Sequence, residues 1–259
     1  MNRALRILVR IAGSIAVLIL FLIGWQLAVQ YKFVDPIFVS TPAAVYASLV
    51  SLVQQREIWL MAGVTYYEIL MGFIIGAASG ISIGFMFYYL RTVYEWFQPY
   101  ILVFYSIPVI VFAPLFILFF GIGVDSKIAI AFWGVFFVFL LNTFQALQNV
   151  DGSIVDATRV MGARRFDIFR KVTLPYIMPW MTAAMKLGMG FAFIGAIVGE
   201  FIGSPTNGGI GWYIDQQILL FNSAPMLAAI AVLAGLIMAT TYALVGVEKV
   251  VVRWNPSKR

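Results

Sequence analysis

Cysteine and histidine are both absent from this chain of 259 residues. Their absence excludes disulfides, thiolate redox chemistry, Ser-His-Asp and Cys-His catalysis, and zinc sites built from these two residue types. No G-x-x-x-x-G-K-[ST] loop and no strand-bounded G-x-G-x-x-G occurs, so no nucleotide-binding site is indicated. We therefore expect no metal site, no resident cofactor and no catalytic residues in this chain.

Charged residues are also scarce. They make up 11% of the chain, where a typical soluble protein has about 25%. Hydrophobic residues reach 63%, against roughly 45–50% in a soluble domain. So few polar side chains cannot cover so much apolar surface, and part of the solvent around this protein must therefore be lipid.

Apolar runs that can cross a bilayer as helices, which takes about 20 residues each, occur six times. We place these spans at 11–29, 61–87, 99–120, 128 to about 147, about 177–199, and 225–247. The first run follows three arginines but exceeds the usual signal-peptide core of about 7–15 residues, and no A-x-A site follows it. We interpret it as a retained anchor and predict an all-α polytopic membrane protein with one transmembrane domain over 1–259.

The basic residues predict the orientation, because lysine and arginine concentrate in cytoplasmic segments. With the N-terminus inside, 13 of the 17 basic residues are cytoplasmic: Arg3, Arg6, Arg10, Arg91, Arg159, Arg164, Arg165, Arg170, Lys171, Lys249, Arg253, Lys258 and Arg259. Only Lys32, Arg56 and Lys127 then lie outside. We expect both termini in the cytoplasm, and no nucleic-acid binding, because the charges form no single basic face.

The largest internal loop, at about 148–176, has the pattern of two short helices. Asp151 or Ser153 can cap the first, and Gly162 is placed to end it in the left-handed conformation. A second helix is predicted from about 164 to 172, with Phe166, Phe169 and Val172 on one side. Pattern alone leaves two interpretations open: a docking unit for a partner, or an amphipathic hairpin on the lipid surface.

The spacing within this loop is specific. It has Asp156-Ala157-Thr158, then Gly162, then nine residues, then Val172-Thr173-Leu174-Pro175. This resembles the signature of ABC-importer permease subunits, E-A-A-x-x-x-G-x9-I-x-L-P. Asp for Glu and Val for Ile are mild departures, and Thr158 in place of the second alanine is a larger one.

Other segments extend the resemblance from about residue 40 to residue 254. They look like the permeases for sulfonates, taurine and nitrate at these positions: Gly72-Phe73, Ile107-Pro108, Ala113-Pro114-Leu115, Phe120-Gly121-Ile122-Gly123, Ser126-Lys127, Val198-Gly199-Glu200 and Gly209-Ile210-Gly211.

The resemblance implies a type I ABC-importer permease fold and a set of partners. These are two cytoplasmic ATPases that bind the ATP, a second permease copy in a homodimer, an external solute-binding protein, and membrane lipid. The coupling residues that it implies are Asp156, Ala157, Gly162, Arg164, Arg165, Phe166, Leu174 and Pro175.

Inside the spans, small residues and prolines draw attention. The second span has four glycines at i+4 spacing: Gly72, Gly76, Gly80 and Gly84. Such a row lets another helix approach closely, either as a static contact or as a seam that slides during transport. Pro108 and Pro114 in the third span can bend the helix and free carbonyls for a solute path.

Three ionisable residues lie in or near spans: Glu68, Lys186 and Glu200. Buried charge in a membrane is expensive, so each is a candidate functional residue. Each also has a structural interpretation. Glu68 can reach the headgroups, Lys186 can extend to the cytoplasmic surface, and Glu200 can be a solvated helix end. We assign Lys186 and Glu200, with the two prolines, to the translocation path or its gate.

The sequence therefore predicts the permease subunit of an ATP-driven importer in a bacterial inner membrane. The expected cargo is a small anionic nutrient, similar to a sulfonate, taurine or nitrate. The alternative is a secondary transporter or channel without an ATPase, which would need a denser relay of ionisable residues inside the membrane.

Overall fold

A computed structural model describes residues 3–35, 37–203 and 208–251. These residues form eleven α-helices and one π-helical turn, and no strand occurs among them. The helices are α1 (Arg3–Gln30), α2 (Pro42–Gln54), α3 (Arg56–Tyr89), α4 (Arg91–Ser106), α5 (Val109–Phe120), α6 (Val124–Gln148), α7 (Gly152–Val160), α8 (Arg165–Ile168), α9 (Leu174–Ile202), α10 (Ile210–Leu219) and α11 (Ser223–Val251), with the π turn at Phe169–Thr173.

Five described helices or continuous helical segments are long and apolar enough to cross a membrane, and six if α4 and α5 count as one span. All six predicted spans are therefore found as apolar helices, and the chain is a multi-pass membrane protein. The third, predicted at 99–120 with prolines that can bend it, consists of two helices, α4 and α5, and starts earlier than predicted, at Arg91. The chain bends by 97° between these two helices.

The bend in the third span has a local cause at Ile107 and Pro108. Proline restricts the residue before it to extended backbone, and Ile107 has φ −76° and ψ 125°. Pro108 also has no N–H to continue the hydrogen-bond ladder, so α4 ends before it and α5 begins after it.

The described residues divide into two compact units. The first contains 1–60 and 212–234, and in it the Ser40 and Ser223 hydroxyls are 2.7 Å apart and hydrogen-bonded. Its short helix α2 starts at Pro42 because the preceding residue, Thr41, caps it: the Thr41 hydroxyl accepts a hydrogen bond from the Ala44 N–H at 3.3 Å.

The second unit contains, of the described residues, 61–203, 208–211 and 235–251, and α6 lies at its centre. The side chains of Ile130, Ala131, Val135 and Leu140 on α6 are almost completely buried. Helices α3 and α9 pack against this helix from two sides, and glycines make both contacts close.

The glycine row of α3 faces α6 along its length. A Cβ atom added at Gly72 would lie 2.5 Å from the Ala131 Cβ, and one added at Gly80 would lie 2.5 Å from the Phe136 carbonyl oxygen. Gly76 and Gly84 are equally close to Val135 and Thr143. On the α9 side, a Cβ at Gly195 would lie 2.6 Å from the Ala131 Cα. Backbones at these distances leave no room for a side chain.

Candidate functional site

The first helix of the predicted coupling loop is built as expected. The Asp151 carboxylate accepts hydrogen bonds from the Ser153 hydroxyl at 2.7 Å and from the Ser153 N–H at 2.8 Å. The bond from the hydroxyl has the larger effect and the bond from the N–H the smaller one. Together they hold the pKa of the Asp151 carboxyl below its usual value. Asp151 thereby caps α7.

The end of α7 is a Schellman motif. The Gly162 N–H donates to the Arg159 carbonyl at 3.0 Å, and the Ala163 N–H donates to the Thr158 carbonyl at 3.3 Å. Gly162 has φ +87°, so the predicted left-handed conformation is confirmed. A Cβ at this position would meet no neighbour, and the requirement for glycine therefore comes from the backbone angle alone.

The second helix differs from the prediction. Only Arg165–Ile168 is α-helical; it passes through the π turn directly into α9, and the chain stays helical through Pro175. Proline disfavours helical backbone in the residue before it, so the sequence predicts a break between the loop and the fifth span at Pro175. That prediction is wrong, because Leu174 is helical, with φ −61° and ψ −49°. In an ordinary α-helix the ring of Pro175 would clash with the carbonyl four residues earlier. The wider π turn directly before the proline relieves this clash.

The three residues predicted on one side of the second helix differ in exposure, and Val172 is half-buried. Phe166 is exposed, whereas Phe169 packs against Phe85 of α3 with ring centroids 5.9 Å apart. Leu174 contacts a buried cluster of Ala146, Leu147, Ile177 and Met181. Leu174 and Phe169 therefore hold the helix pair to the membrane helices, and Phe166 remains available to a partner.

Four apolar side chains of this helix pair are exposed. They are Ile154, Val160, Met161 and Phe166, with exposed fractions of 47%, 88%, 85% and 69%. We call these four residues the docking face. Val160 and Met161 come immediately before Gly162, and sequence reasoning missed Met161, because helical periodicity does not show which residues a turn presents.

The charged residues of the loop surround the docking face. Asp156 forms an exposed ion pair with Arg159 at 3.0 Å, and Ala157 and Arg164 are exposed. Arg165 contributes to a cleft of about 370 Å³, together with Asp156 and Tyr89. Exposed pairs of this kind contribute little to stability, so their charge is available for orienting a partner.

The bend at Pro108 lies beside a cavity of about 310 Å³. The cavity is lined by Phe104, Tyr105, Ser106, Ile107, Pro108, Val109, Trp133, Gly134, Phe137 and Phe191. It therefore brings the third, fourth and fifth spans together around an aromatic wall. Pro114 lies inside α5 and is not among the lining residues.

Lys186 is not placed at this cavity. Its Nζ lies 2.5 Å from the Glu248 Oε2, and the pair links α9 to α11. The side chain of Lys186 is 40% exposed, and that of Glu248 is 17% exposed. The structure therefore separates Lys186 from Pro108, although both were assigned to the translocation path.

Glu200 is not a solvated helix end, because only 1% of the residue is exposed. Its Oε1 accepts a hydrogen bond from the Thr65 hydroxyl at 2.8 Å, and its Oε2 accepts one from the Gly211 N–H at 2.6 Å. The Thr65 hydroxyl in turn accepts from the Ile210 N–H at 2.8 Å. Glu200 therefore ties the beginning of α10 to α3 and α9.

Two further ionisable side chains are buried near Glu200. Glu68 is completely buried, and its Oε1 lies 3.5 Å from the Nζ of Lys127, of which 1% is exposed. The prediction that Lys127 faces the external solvent is wrong, since α6 already begins at Val124 and turns this side chain inward. Glu68 is likewise not extended toward the headgroups. We call Thr65, Glu68, Lys127 and Glu200 the buried charge cluster.

Sequence reasoning missed Thr65 and Lys127 as members of this cluster. The signal available was that Glu68 interrupts one apolar run and Lys127 directly precedes another, with opposite charges, as partners inside a membrane have. Gly209 and Gly211 complete the site: a Cβ at Gly209 would lie 1.8 Å from the Glu200 Oε1, and one at Gly211 would lie 2.4 Å from its Oε2.

The profile of a family described as "binding-protein-dependent transport system inner membrane component" matches residues 69–250. This is more than half of the chain, and the protein belongs to that family. The family is the membrane component of ABC importers, in which the transported solutes vary.

Two relatives with different named solutes cover most of the chain. The riboflavin transport permease RibX of Chloroflexus aurantiacus is 29% identical over 246 residues, which is 95% of this chain and 91% of RibX. A Bacillus subtilis protein named for aliphatic sulfonates transport, SsuC, is 26% identical over 90% of this chain and 84% of its own length.

A solved structure shares the fold. An inward-facing structure of the methionine ABC transporter MetNI matches with a TM-score of 0.60 and 23% identity, over 76% of this chain and 94% of the matched chain. At this identity the match shows the ABC-importer permease fold and not the solute.

Proposed function

We propose that this chain is the transmembrane subunit of an ATP-driven importer, and that partner ATPases bind ATP and dock on the helix pair at 148–176. In this proposal two copies form the permease, and an external binding protein delivers the solute. The chain itself has no catalytic role.

The observation that carries the proposal is the docking face. Four apolar side chains are exposed on a short helix pair that Leu174 and Phe169 fix to the membrane helices. A groove on an ATPase can bury such a tip, and the basic residues around it can fix the orientation. When the ATPases close on ATP, movement of the tips is transmitted to α9 because no break separates the π turn from that helix.

The docking test is affinity purification from the native membrane with mass spectrometry. The wild-type chain should recover an ATPase subunit with a phosphate-binding loop. Phe166→Ala should reduce that recovery by about tenfold, since apolar anchors at an interface contribute most of its affinity. Phe33→Ala is the matched control, because Phe33 is equally aromatic and 82% exposed but lies outside the helix pair. Equal recovery in both variants would contradict docking at this face.

The orientation in this proposal has the N-terminus in the cytoplasm. Removing buried Lys127 from the external set leaves Lys32 and Arg56, so the charge asymmetry becomes 13 against 2. Three of the 13, Arg253, Lys258 and Arg259, lie outside the described residues. This orientation puts the docking face on the cytoplasmic side, where ATP is available.

For the cargo, we propose a small anionic nutrient, and the relative named for sulfonates supports this class. A second class, a heteroaromatic nutrient, is favoured by the cavity at the bend. Its lining contains Phe104, Tyr105, Trp133, Phe137 and Phe191 and no charged residue. Aromatic walls bind planar rings by stacking, and they provide no charge to hold an anion.

The ligand of the partner binding protein separates these two classes. The binding protein should be isolated together with the permease, and its bound solute identified by mass spectrometry. A sulfonate or another small anion supports the first class, and a heteroaromatic ring supports the second. Trp133→Ala should then reduce uptake of a ring-containing cargo several-fold and leave that of an aliphatic anion largely unchanged.

We also propose that Glu200 contributes to the gate on the external side and not to solute binding. The support is its position between α9 and the beginning of α10, where it bonds to both Thr65 and Gly211. Glu200→Gln should alter transport while ATPase recovery stays at the wild-type level. Normal uptake over the full range of solute concentration would overturn the gate assignment.

A further inference from the structure

The buried charge cluster contains two carboxyl groups and one ammonium group in a site without access to solvent. Glu68 comes from α3, Lys127 from the first turns of α6, and Glu200 from the end of α9. Exposed fractions are 0%, 1% and 1%, respectively. If both carboxyls were ionised, the site would carry one uncompensated negative charge, which is very costly away from water.

The two carboxyl groups have different surroundings. Both oxygens of Glu200 accept hydrogen bonds, one from the Thr65 hydroxyl and one from the Gly211 N–H. A carboxylate is an acceptor only, so these two donors suit the ionised form of Glu200. The Gly211 N–H also belongs to the first turn of α10, where the helix dipole favours a negative charge.

The Glu68 carboxyl has no such hydrogen-bond donors to stabilise its ionised form. Neither of its oxygens receives a hydrogen bond from any residue in the described part of the chain, and both are buried. Lys127 lies at 3.5 Å from one of them, which is an ion-pair distance but longer than a good hydrogen bond. Glu68 lies one helical turn after Thr65, whose hydroxyl bonds to Glu200, and Lys127 packs beside Gly199, the residue before Glu200. The two carboxyl groups therefore lie on the same side of α3.

We propose that the buried charge cluster is a proton-binding site, in which Glu68 holds the proton and donates its O–H to the Glu200 carboxylate. One proton leaves one carboxylate opposite one ammonium, so the site becomes neutral overall. It also gives Glu68 a hydrogen bond that it lacks as a carboxylate. The proposal does not depend on the transport function.

A metal cation in place of the proton is disfavoured by the charges and by the ligands. Lys127 already brings one positive charge to the cluster. Hard cations need several oxygen ligands, and the described residues contain no group of three or more acidic side chains that could hold a metal ion.

Infrared spectroscopy of the full-length chain in detergent at neutral pH tests the proposal directly. A protonated carboxylic acid has a C=O stretching band well separated from those of carboxylates. The wild-type protein should show this band with an intensity of one group per chain, and its position should not respond to sodium or potassium. Absence of the band would overturn the proposal without any variant.

Two variants locate the proton. In Glu68→Gln and in Glu200→Gln one carboxyl remains opposite Lys127, the charges balance, and the band should disappear in both. Glu57→Gln is the matched control, because Glu57 is exposed on the same helix as Glu68, and its band should equal that of wild type. A band that survives in both variants would place the proton outside this cluster and overturn the proposal.

Thermal melting shows which of the two carboxyl groups holds the proton. Glutamine at 68 copies the protonated acid, because its NH2 group can donate to the Glu200 carboxylate, so Glu68→Gln should melt at the wild-type temperature. Glutamine at 200 cannot accept from both Thr65 and Gly211 as a carboxylate does, so Glu200→Gln should melt several degrees lower. The reverse order would assign the proton to Glu200 and overturn the assignment to Glu68.

Discussion

The glycine row of α3 predicts a sharp difference between two chemically identical substitutions, Gly80→Ala and Gly63→Ala. A Cβ at Gly80 would lie 2.5 Å from the Phe136 carbonyl oxygen and 2.9 Å from the Phe139 Cβ, whereas ordinary contacts begin at 3.4 Å. The nearest atom belongs to the backbone and cannot rotate away. Helices α3 and α6 must therefore separate by about 1 Å, or the helices must bend, and overpacking of this kind costs about 1–3 kcal/mol.

Gly63 is the matched control because it lies on the same helix with nothing within 4 Å of an added Cβ. Both substitutions gain about 1 kcal/mol of helix propensity, so that contribution cancels in the difference between them. The difference in stability should therefore report the overpacking alone, at about 1–3 kcal/mol.

The measurement is thermal unfolding of the purified chain in detergent, followed by the fluorescence of its seven tryptophans. Gly80→Ala should melt several degrees below Gly63→Ala, which should melt at or slightly above the wild-type temperature. If the two variants melt at the same temperature, α3 and α6 do not pack closely at Gly80, and the overpacking prediction is wrong.

Three other predictions concern the docking unit, the orientation and the contact between α9 and α11. Gly162→Val should abolish ATPase recovery while membrane insertion is retained, because φ +87° costs a side chain about 1–2 kcal/mol and misdirects the docking face. ATPase recovery at the wild-type level in that variant would contradict the role of the turn. In this cysteine-free chain, Lys32→Cys should react with an impermeant thiol reagent in intact cells, whereas Arg164→Cys should react only after lysis; labelling of position 164 from outside would reverse the orientation. In a double-mutant cycle, Lys186→Met and Glu248→Gln should show a coupling energy of about 1 kcal/mol in melting experiments, because the pair is only partly exposed; additive effects would show that the pair contributes nothing.

The spans, the caps and the glycine turn were predictable from the sequence because each depends on neighbouring residues. In lipid, the backbone N–H and C=O groups of a run of about 20 apolar residues can all be hydrogen-bonded within the run only if it forms a helix. All six runs are therefore helical. Thr41 before Pro42 and Asp151 before Gly152 start helices for a local reason, a side chain that accepts from an N–H two or three residues later. Gly162 ends α7 because the chain needs a positive φ there, and this requirement involves no residue distant in sequence.

The positions of the functional side chains were decided by the tertiary structure. Lys127 follows a short loop and looks external in the sequence, but packing of α6 against α3 and α9 brings it to Glu68 in the interior. Packing between helices also explains why Phe166 is exposed and why Glu200 is buried. The same packing separates Lys186 from Pro108. Hydropathy and spacing determine which segments enter the membrane. Which polar groups meet there depends on contacts between helices distant in sequence, where a buried charge must find its partner.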